Sequence, residues 1–88
     1  MSAPFVPGYH LRPIAKGVLG EPSKIREELD ELEEALEQGV KIMAEVELAD
    51  LYGAVEAVLR RHFPHLTMDD LARMSAVTQR AFNNGRRT

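Results

Sequence analysis

The chain contains no cysteine and no tryptophan, and its aromatic residues other than histidine are two tyrosines and three phenylalanines. The lack of cysteine excludes disulfides and thiolate metal sites, and it is typical of a protein from a reducing compartment. No apolar run approaches the roughly 20 residues of a membrane span. Residues 1–8 lack the positive charge and the apolar stretch of a signal peptide. We therefore expect a cytoplasmic protein with no membrane partner.

The length and composition of the chain indicate the size of the fold, and its charge distribution indicates where ions could bind. A chain of 88 residues, with 44% hydrophobic and 28% charged residues, suits one small folded domain. Because so short a chain closes only a small core alone, we expect a homo-oligomer, either a dimer or a tetramer. The net charge of -3 is uneven: residues 24–50 are strongly acidic, whereas residues 73–87 contain arginines and no acid. This suits a site that holds cations and anions at opposite ends, although a solvated acidic helix and a basic end are the simpler explanation.

The N-terminal quarter of the chain is predicted to be irregular and to be followed by a helix. Residues 1–22 form an arm that holds every proline except Pro64. The first helix is predicted to have Ser23 as its N-cap and to end before Gly39. Its apolar residues form a narrow stripe within about 40° of a common direction: Ile25, Leu29, Leu32 and Leu36.

Two further helices are predicted, and no segment has the alternation of a strand. The second helix covers roughly Lys41 to His62 and ends before Pro64. The third begins at an N-cap, Thr67, and ends at residues 84–85. Their apolar faces comprise Met43, Ala44, Leu48, Leu51, Ala54, Val55, Val58 and Leu59 in the second helix, and Leu71, Met74, Val77, Ala81 and Phe82 in the third. The predicted fold is all-α, with residues 23–88 as one domain: an antiparallel hairpin plus a third helix, completed into a bundle by oligomerisation.

Two carboxylates of the second helix are placed where apolar residues are expected. On a helical wheel, Glu47 lies about 20° from Ala54 and Val58, and Asp50 lies about 60° from Glu47. Both acids therefore fall inside the apolar face, where a carboxylate is costly unless it is paired or binds a metal. A basic partner from another helix is the structural alternative, although no basic residue shares that face before Arg61.

Acids of the first helix can meet this pair. Lys24, Glu28 and Glu31 form a column beside the apolar stripe. Three other acids are predicted to face solvent: Glu27, Asp30 and Glu34. In an antiparallel hairpin, Glu28 and Glu31 would face Glu47 and Asp50. Four converging carboxylates cannot all be ionised near neutral pH without cations, and all-oxygen ligation suits Mg²⁺, with Mn²⁺ as an alternative. A solvated acidic surface remains the alternative for Glu28 and Glu31.

The two acidic pairs also resemble a family signature. Glu28-x-x-Glu31, followed after fifteen residues by Glu47-x-x-Asp50, is similar to the metal motifs of the MazG-like all-α nucleoside triphosphate pyrophosphohydrolases, and residues 24–60 carry the resemblance. In size the chain is similar to short single-domain members of bacteria and phages. The resemblance implies Mg²⁺-dependent cleavage of a nucleoside triphosphate, or its deoxy form, to the monophosphate and pyrophosphate.

The resemblance also implies roles for particular residues. Glu28, Glu31, Glu47 and Asp50 would be the catalytic metal ligands, and one of the glutamates would orient or deprotonate the attacking water. Lys24 is the candidate for a phosphate contact. Because the family often has basic and asparagine residues late in the chain, further candidates for binding the phosphates are Arg80, Asn83, Arg86 and Arg87. An exposed basic terminus explains these last residues equally well.

Other functions stay open at this stage. A non-catalytic helical oligomerisation or adaptor module would use the acids structurally. A phosphoribosyl-ATP pyrophosphohydrolase-like activity would use the same site on another substrate. Nucleic-acid binding through the arginine-rich end is not expected, because the positive charge is sparse and the chain is acidic overall.

Overall fold

The fold is built from helices joined by short connections. A computed structural model describes residues 12–83, and side chains as far as residue 80. It contains three α-helices: α1 (Pro22–Gln38), α2 (Lys41–His62) and α3 (Met68–Asn83). The described residues contain no strand, which confirms the all-α class. Within this part of the chain, no helix is long and apolar enough to cross a membrane.

The junction between α1 and α2 follows the sequence signal closely. Gly39 adopts the left-handed conformation, with φ of 75°, and its N–H donates to the Leu36 carbonyl at 3.1 Å. The next N–H, that of Val40, donates to the Ala35 carbonyl at 3.1 Å. A glycine adopts this conformation at little steric cost, and the two hydrogen bonds satisfy carbonyls that the helix end leaves free. The predicted end of the first helix is therefore confirmed.

The N-cap residue of α1 is not the predicted Ser23. Glu21 occupies the N-cap position without a side-chain cap, and Pro22 is the first helical residue. Proline is favoured there because its fixed φ suits the helix and its missing N–H is not needed. Ser23 therefore lies inside the first turn, and its Oγ instead accepts the N–H of Val18 at 3.0 Å.

The start of α3 is capped as the sequence predicts. The Asp70 N–H donates to Thr67 Oγ1 at 3.1 Å, and the Thr67 N–H donates to Asp70 Oδ2 at 2.9 Å. This reciprocal pair satisfies backbone donors at the helix start. The Thr67 backbone hydrogen bond, followed by its hydroxyl, lowers the pKa of the Asp70 carboxyl.

The helices α1 and α2 pack against each other as an antiparallel hairpin. Gly20, just before α1, lies against Arg61 near the end of α2. The buried apolar side chains are small for the most part: Ala35, Ala44, Ala54 and Leu59. α3 makes few contacts with either helix. The arrangement therefore positions the facing sides of α1 and α2 and leaves much apolar surface uncovered.

Several predicted core residues are exposed in this chain. The stripe of α1 is only partly covered, since Leu29 and Leu36 are exposed, and Leu48 of α2 is exposed as well. In α3 the same holds for Met74 and Val77. Within the chain, the hairpin packs through alanines and glutamates, which leaves Leu29, Leu36 and Leu48 exposed. The predicted bundle includes a second chain, so the burial of these residues in an assembly stays a prediction.

Two glutamates of α1, which were predicted to face solvent, accept hydrogen bonds from the arm. Glu27 and Glu34 are only 3% and 2% exposed. Glu27 Oε1 accepts the N–H of Gly17 at 2.8 Å, and Glu34 Oε1 accepts the N–H of Arg12 at 2.9 Å. The prediction of solvent exposure was wrong because the arm covers these carboxylates, and its backbone N–H groups compensate their burial.

Close backbone contact and a second set of polar contacts fix the end of the arm. A Cβ on Gly17 would lie 2.3 Å from the carbonyl carbon and oxygen of Ser23, so this position has no room for a side chain. Farther along, His62 Nε2 lies 3.1 Å from the Gly20 carbonyl oxygen and 3.2 Å from Glu21 Oε2. Arg61 pairs with Glu21 at 3.3 Å. These contacts hold the start of α1 beside the end of α2.

Candidate metal centre

Carboxylates from both helices of the hairpin converge at its centre. Glu28 and Glu31 lie on successive turns of α1, and Glu47 and Asp50 occupy the same spacing on α2. One oxygen from each of Glu28, Glu47 and Asp50 lies within 4.8 Å of the others. The structure thus brings together acids that are separated by about twenty positions in the sequence.

Two of these carboxylates are buried and incompletely satisfied. Glu28 is 5% exposed and Glu47 is 7% exposed. The Oε2 atom of each lacks a hydrogen-bond partner within the described part of the chain. Asp50 is exposed and lines the pocket described below. The prediction that Asp50 is enclosed by the apolar face was therefore wrong within this chain.

Glu47 has the most perturbed environment of the group. Burial, followed by a hydrogen bond with Glu31 and by the nearby charges of Glu31, Glu28 and Asp50, raises its pKa from 4.5 to about 8. At neutral pH the metal-free protein therefore holds a proton on Glu47, and that carboxyl can donate to Glu31. The proton reduces the repulsion between Glu47 and the neighbouring acids.

Glu27 is the site neighbour that sequence reasoning missed. One of its oxygens lies within 4.8 Å of ligand-type oxygens of Glu28 and Glu31. The Gly17 N–H, and then Lys24, lower the pKa of Glu27 despite its burial. No local sequence signal marks Glu27, because its burial depends on a distant backbone segment. This residue links the arm to the carboxylate cluster.

Lys24 occupies the border between the arm and the cluster. Its Nζ lies 3.2 Å from Glu27 Oε1 and 3.2 Å from Glu28 Oε1. Hydrogen bonds to Glu27 and then Glu28 raise the pKa of Lys24. The ammonium therefore neutralises part of the acidic cluster, but it pairs with the acids of its own helix. The basic-partner alternative was for Glu47 and Asp50, and Lys24 does not supply that partner: the Glu47 Oε2 lacks a hydrogen-bond partner in the described structure.

A pocket of about 400 Å³ opens beside the carboxylates. Its lining includes the polar side chains of Lys24, Glu28 and Asp50, and also Leu19 of the arm and Gly53 of α2. Pockets of this size accept small organic ligands. The cluster is therefore accessible to a metal ion and to a ligand that carries both charge and apolar surface.

Among the C-terminal candidates, the structure describes the side chain of Arg80 alone. Arg80 is exposed near the end of α3 and does not line the pocket. Asn83 is the last residue of α3, and its side chain lies outside the described part. Arg86 and Arg87 also lie outside the described residues. Their proposed contacts with phosphate stay predictions.

The donor set fits a hard divalent cation. Mg²⁺ prefers oxygen ligands, and opposite ligands of its octahedron lie about 4 Å apart. The oxygens of Glu28, Glu47 and Asp50, within 4.8 Å of one another, are close to that spacing. A cation would also give the unpartnered Oε2 atoms of Glu28 and Glu47 a partner. The geometry therefore suits Mg²⁺ or Mn²⁺ and excludes thiolate-dependent sites, since the chain has no cysteine.

Comparison with known proteins identified no relative of this chain. No protein-family model, curated protein or solved structure matches the chain. The arguments about function therefore depend on the carboxylate geometry and on the motif resemblance in residues 24–60.

Proposed function

We propose that this protein is a Mg²⁺-dependent nucleotide pyrophosphohydrolase, similar in its site to the MazG-like enzymes. Its substrate would be a nucleoside triphosphate, or the deoxy form, cleaved to the monophosphate and pyrophosphate. The cytoplasm, where we expect the protein, supplies such nucleotides. The single observation that carries the proposal is the buried carboxylate cluster with two unpartnered oxygens beside an open pocket.

In the proposed reaction, the residues of the site would have different roles. Glu28, Glu31, Glu47 and Asp50 would hold the cation, which when bound would neutralise phosphate charge and activate water. One of the glutamates would orient or accept a proton from the attacking water. Lys24 lies at the pocket with a protonated ammonium, which suits a phosphate oxygen. The part of the pocket beside Leu19 and Gly53 leaves room for the rest of the nucleotide.

The test is pyrophosphate release from a panel of ribo- and deoxyribonucleoside triphosphates in the presence of Mg²⁺. We expect release from at least one member of the panel and its loss when the metal is chelated. Asp50→Asn should reduce the rate by about a hundredfold or more, because it removes a charged ligand.

The matched control is Asp30→Asn, which changes an exposed acid of α1 outside the cluster. It should leave the rate unchanged. Equal losses in both variants, or release that continues after chelation, would contradict the proposed site. Release from phosphoribosyl-ATP alone would move the assignment to a phosphoribosyl-ATP pyrophosphohydrolase-like activity.

A second candidate function is a helical oligomerisation or adaptor module, and the exposed apolar residues favour it. Leu36 of α1 is 62% exposed, and Ile42 of α2 is 67% exposed. Leu29, Val46 and Leu48 are exposed as well, and contiguous exposed apolar residues mark contact surfaces. The two functions are compatible, because an enzyme of this size can also assemble through that surface.

We therefore propose that the chain forms a homodimer or homotetramer through the exposed apolar residues of α1 and α2. Light scattering should give two or four times the mass of the chain. Leu36→Glu should lower that mass by burying a charge at the contact, whereas Glu33→Gln, at an exposed position of the same helix, should not. A monomeric wild-type protein would contradict the assembly and leave the metal centre to be judged separately.

A further inference from the structure

Gly53 lies in the middle of α2 without a reason in the packing of this chain. A glycine inside a helix makes the helix less stable than alanine does. Some helical glycines are needed because a neighbouring element lies too close for a side chain, and outside the helices Gly17 is held in this way against Ser23. Around a Cβ built on Gly53, in contrast, nothing lies within 4 Å among the described residues. The cost in helix stability is therefore not compensated by a contact within the described chain.

The open space in front of Gly53 is the pocket beside the carboxylates. Gly53 lies three residues after Asp50 on the same helix, and both line the pocket. Leu19 of the arm also lines the pocket, and it is 64% exposed. A side chain at position 53 would reduce the space that a ligand could enter.

An independent observation marks the same pocket as a ligand site. Glu28 lines it, is 5% exposed, and has an Oε2 atom without a hydrogen-bond partner in the described structure. A buried, unpartnered carboxylate oxygen is costly unless something external binds there. The pocket thus combines carboxylates that suit a cation with a glycine that leaves space beside them.

We propose that Gly53 is a substrate-positioning residue that allows the nucleoside part of the substrate to approach the backbone of α2, with Leu19 against its other side. This inference extends the proposed function and depends on it. The phosphates would lie toward Lys24 and the carboxylates, and the sugar and base toward Gly53 and Leu19. Glycine is used where a ligand must come close to the backbone, and an apolar side chain suits the face of a base.

The test compares ligands that share phosphates but differ in the nucleoside. The probes are an α,β-imido nucleoside triphosphate, which resists cleavage, and inorganic tripolyphosphate, each titrated with Mg²⁺ into the full chain. We expect Gly53→Val to weaken binding of the nucleotide analogue by about tenfold or more, as added methyl groups do in a filled pocket. Binding of tripolyphosphate should change by less than about twofold, since it leaves the space beside Gly53 empty.

Gly53→Ala separates binding from folding. It should raise the melting temperature, because alanine is the better helix former, and should still weaken binding of the nucleotide analogue. Ala72→Val, at an exposed position of α3 outside the pocket, is the control for an added side chain and should change neither ligand's affinity.

The outcomes distinguish this inference from the proposed function. If wild type binds the nucleotide analogue with Mg²⁺ and Gly53→Val binds it equally well, the role of Gly53 is wrong and the proposed function stands. The role of Gly53 is also wrong if Gly53→Val changes the mass in solution without changing affinity, because the glycine then serves a contact with a second copy. If wild type binds no probe, both the role of Gly53 and the proposed function are wrong.

Discussion

Replacing Glu47 with glutamine should abolish nucleotide hydrolysis and at the same time make the metal-free protein more stable above about pH 8. Burial and the surrounding acids raise the pKa of Glu47 to about 8, so its ionised form is disfavoured in the fold. The amide resembles the protonated acid and cannot ionise. It removes the cost of a buried charge, and it also removes a charged ligand for the cation.

The two effects of Glu47→Gln should be measured on the same preparation. Pyrophosphate release should fall by about a hundredfold or more, since even outer partners of metal ligands contribute 10- to 100-fold. Chemical denaturation with chelator at alkaline pH should give a higher free energy of unfolding than wild type, by a few kcal/mol at most.

Glu45→Gln is the matched control for this prediction, because Glu45 is an exposed acid of the same helix. It should leave both the rate and the pH dependence of stability unchanged. A Glu47→Gln variant that is inactive and also less stable at alkaline pH would indicate that Glu47 is charged and paired in the fold, contrary to its environment in the structure.

The stability of the metal-free wild type should fall as the pH rises from about 5 to about 8, and Mg²⁺ should reverse that fall. The pKa of Glu47 is about 8 in the folded chain and 4.5 as the ordinary value. Between these values the folded chain holds a proton that the unfolded chain has lost, so each rise in pH favours unfolding. Above about pH 8 both states are ionised, and the contribution of Glu47 levels off.

Other shifted carboxyls act in a different pH range. The pKa values of Glu27 and Asp70 are lowered, so their contributions are complete above their ordinary values of 4.5 and 3.8 and are lost only as the pH falls below these values. They therefore do not produce a loss of stability between pH 5 and 8.

Magnesium should stabilise the wild type increasingly across the same range. Binding must displace the proton of Glu47, so affinity should rise by up to about tenfold for each pH unit until the carboxyl is ionised. At a concentration 100 times its dissociation constant, a bound ion adds about 2.7 kcal/mol to the free energy of unfolding. Denaturation with Mg²⁺ or with chelator at a series of pH values measures both effects. Stability that is independent of Mg²⁺ at every pH would contradict the metal centre.

The helix ends show how much of the fold local sequence determines. Gly39 and Thr67 mark their helix boundaries through backbone conformation and capping, which depend on a few adjacent residues. The position of Glu47 on the buried side of α2 also follows from helical periodicity, because the surrounding alanines share that side.

The errors arise where a distant segment decides the environment. Glu27 and Glu34 look like solvent-facing acids on a helical wheel, and only the arm's backbone N–H groups make their burial possible. Leu29 and Leu36 look like the helix seam, yet the hairpin packs on the side of Glu28 and Ala35. Periodicity identifies the faces of a helix, but it does not decide which face meets which neighbour.

The most direct test of the metal centre is calorimetric titration of Mg²⁺ into the chelator-treated protein near neutral pH, in two buffers of different ionisation enthalpy. We expect saturable binding with proton release, because Glu47 must ionise to become a ligand. The binding should be lost in Glu47→Gln and retained in Glu45→Gln. No saturable binding to the wild type, or equal binding to Glu47→Gln, would contradict the central claim that these carboxylates form a divalent-cation site.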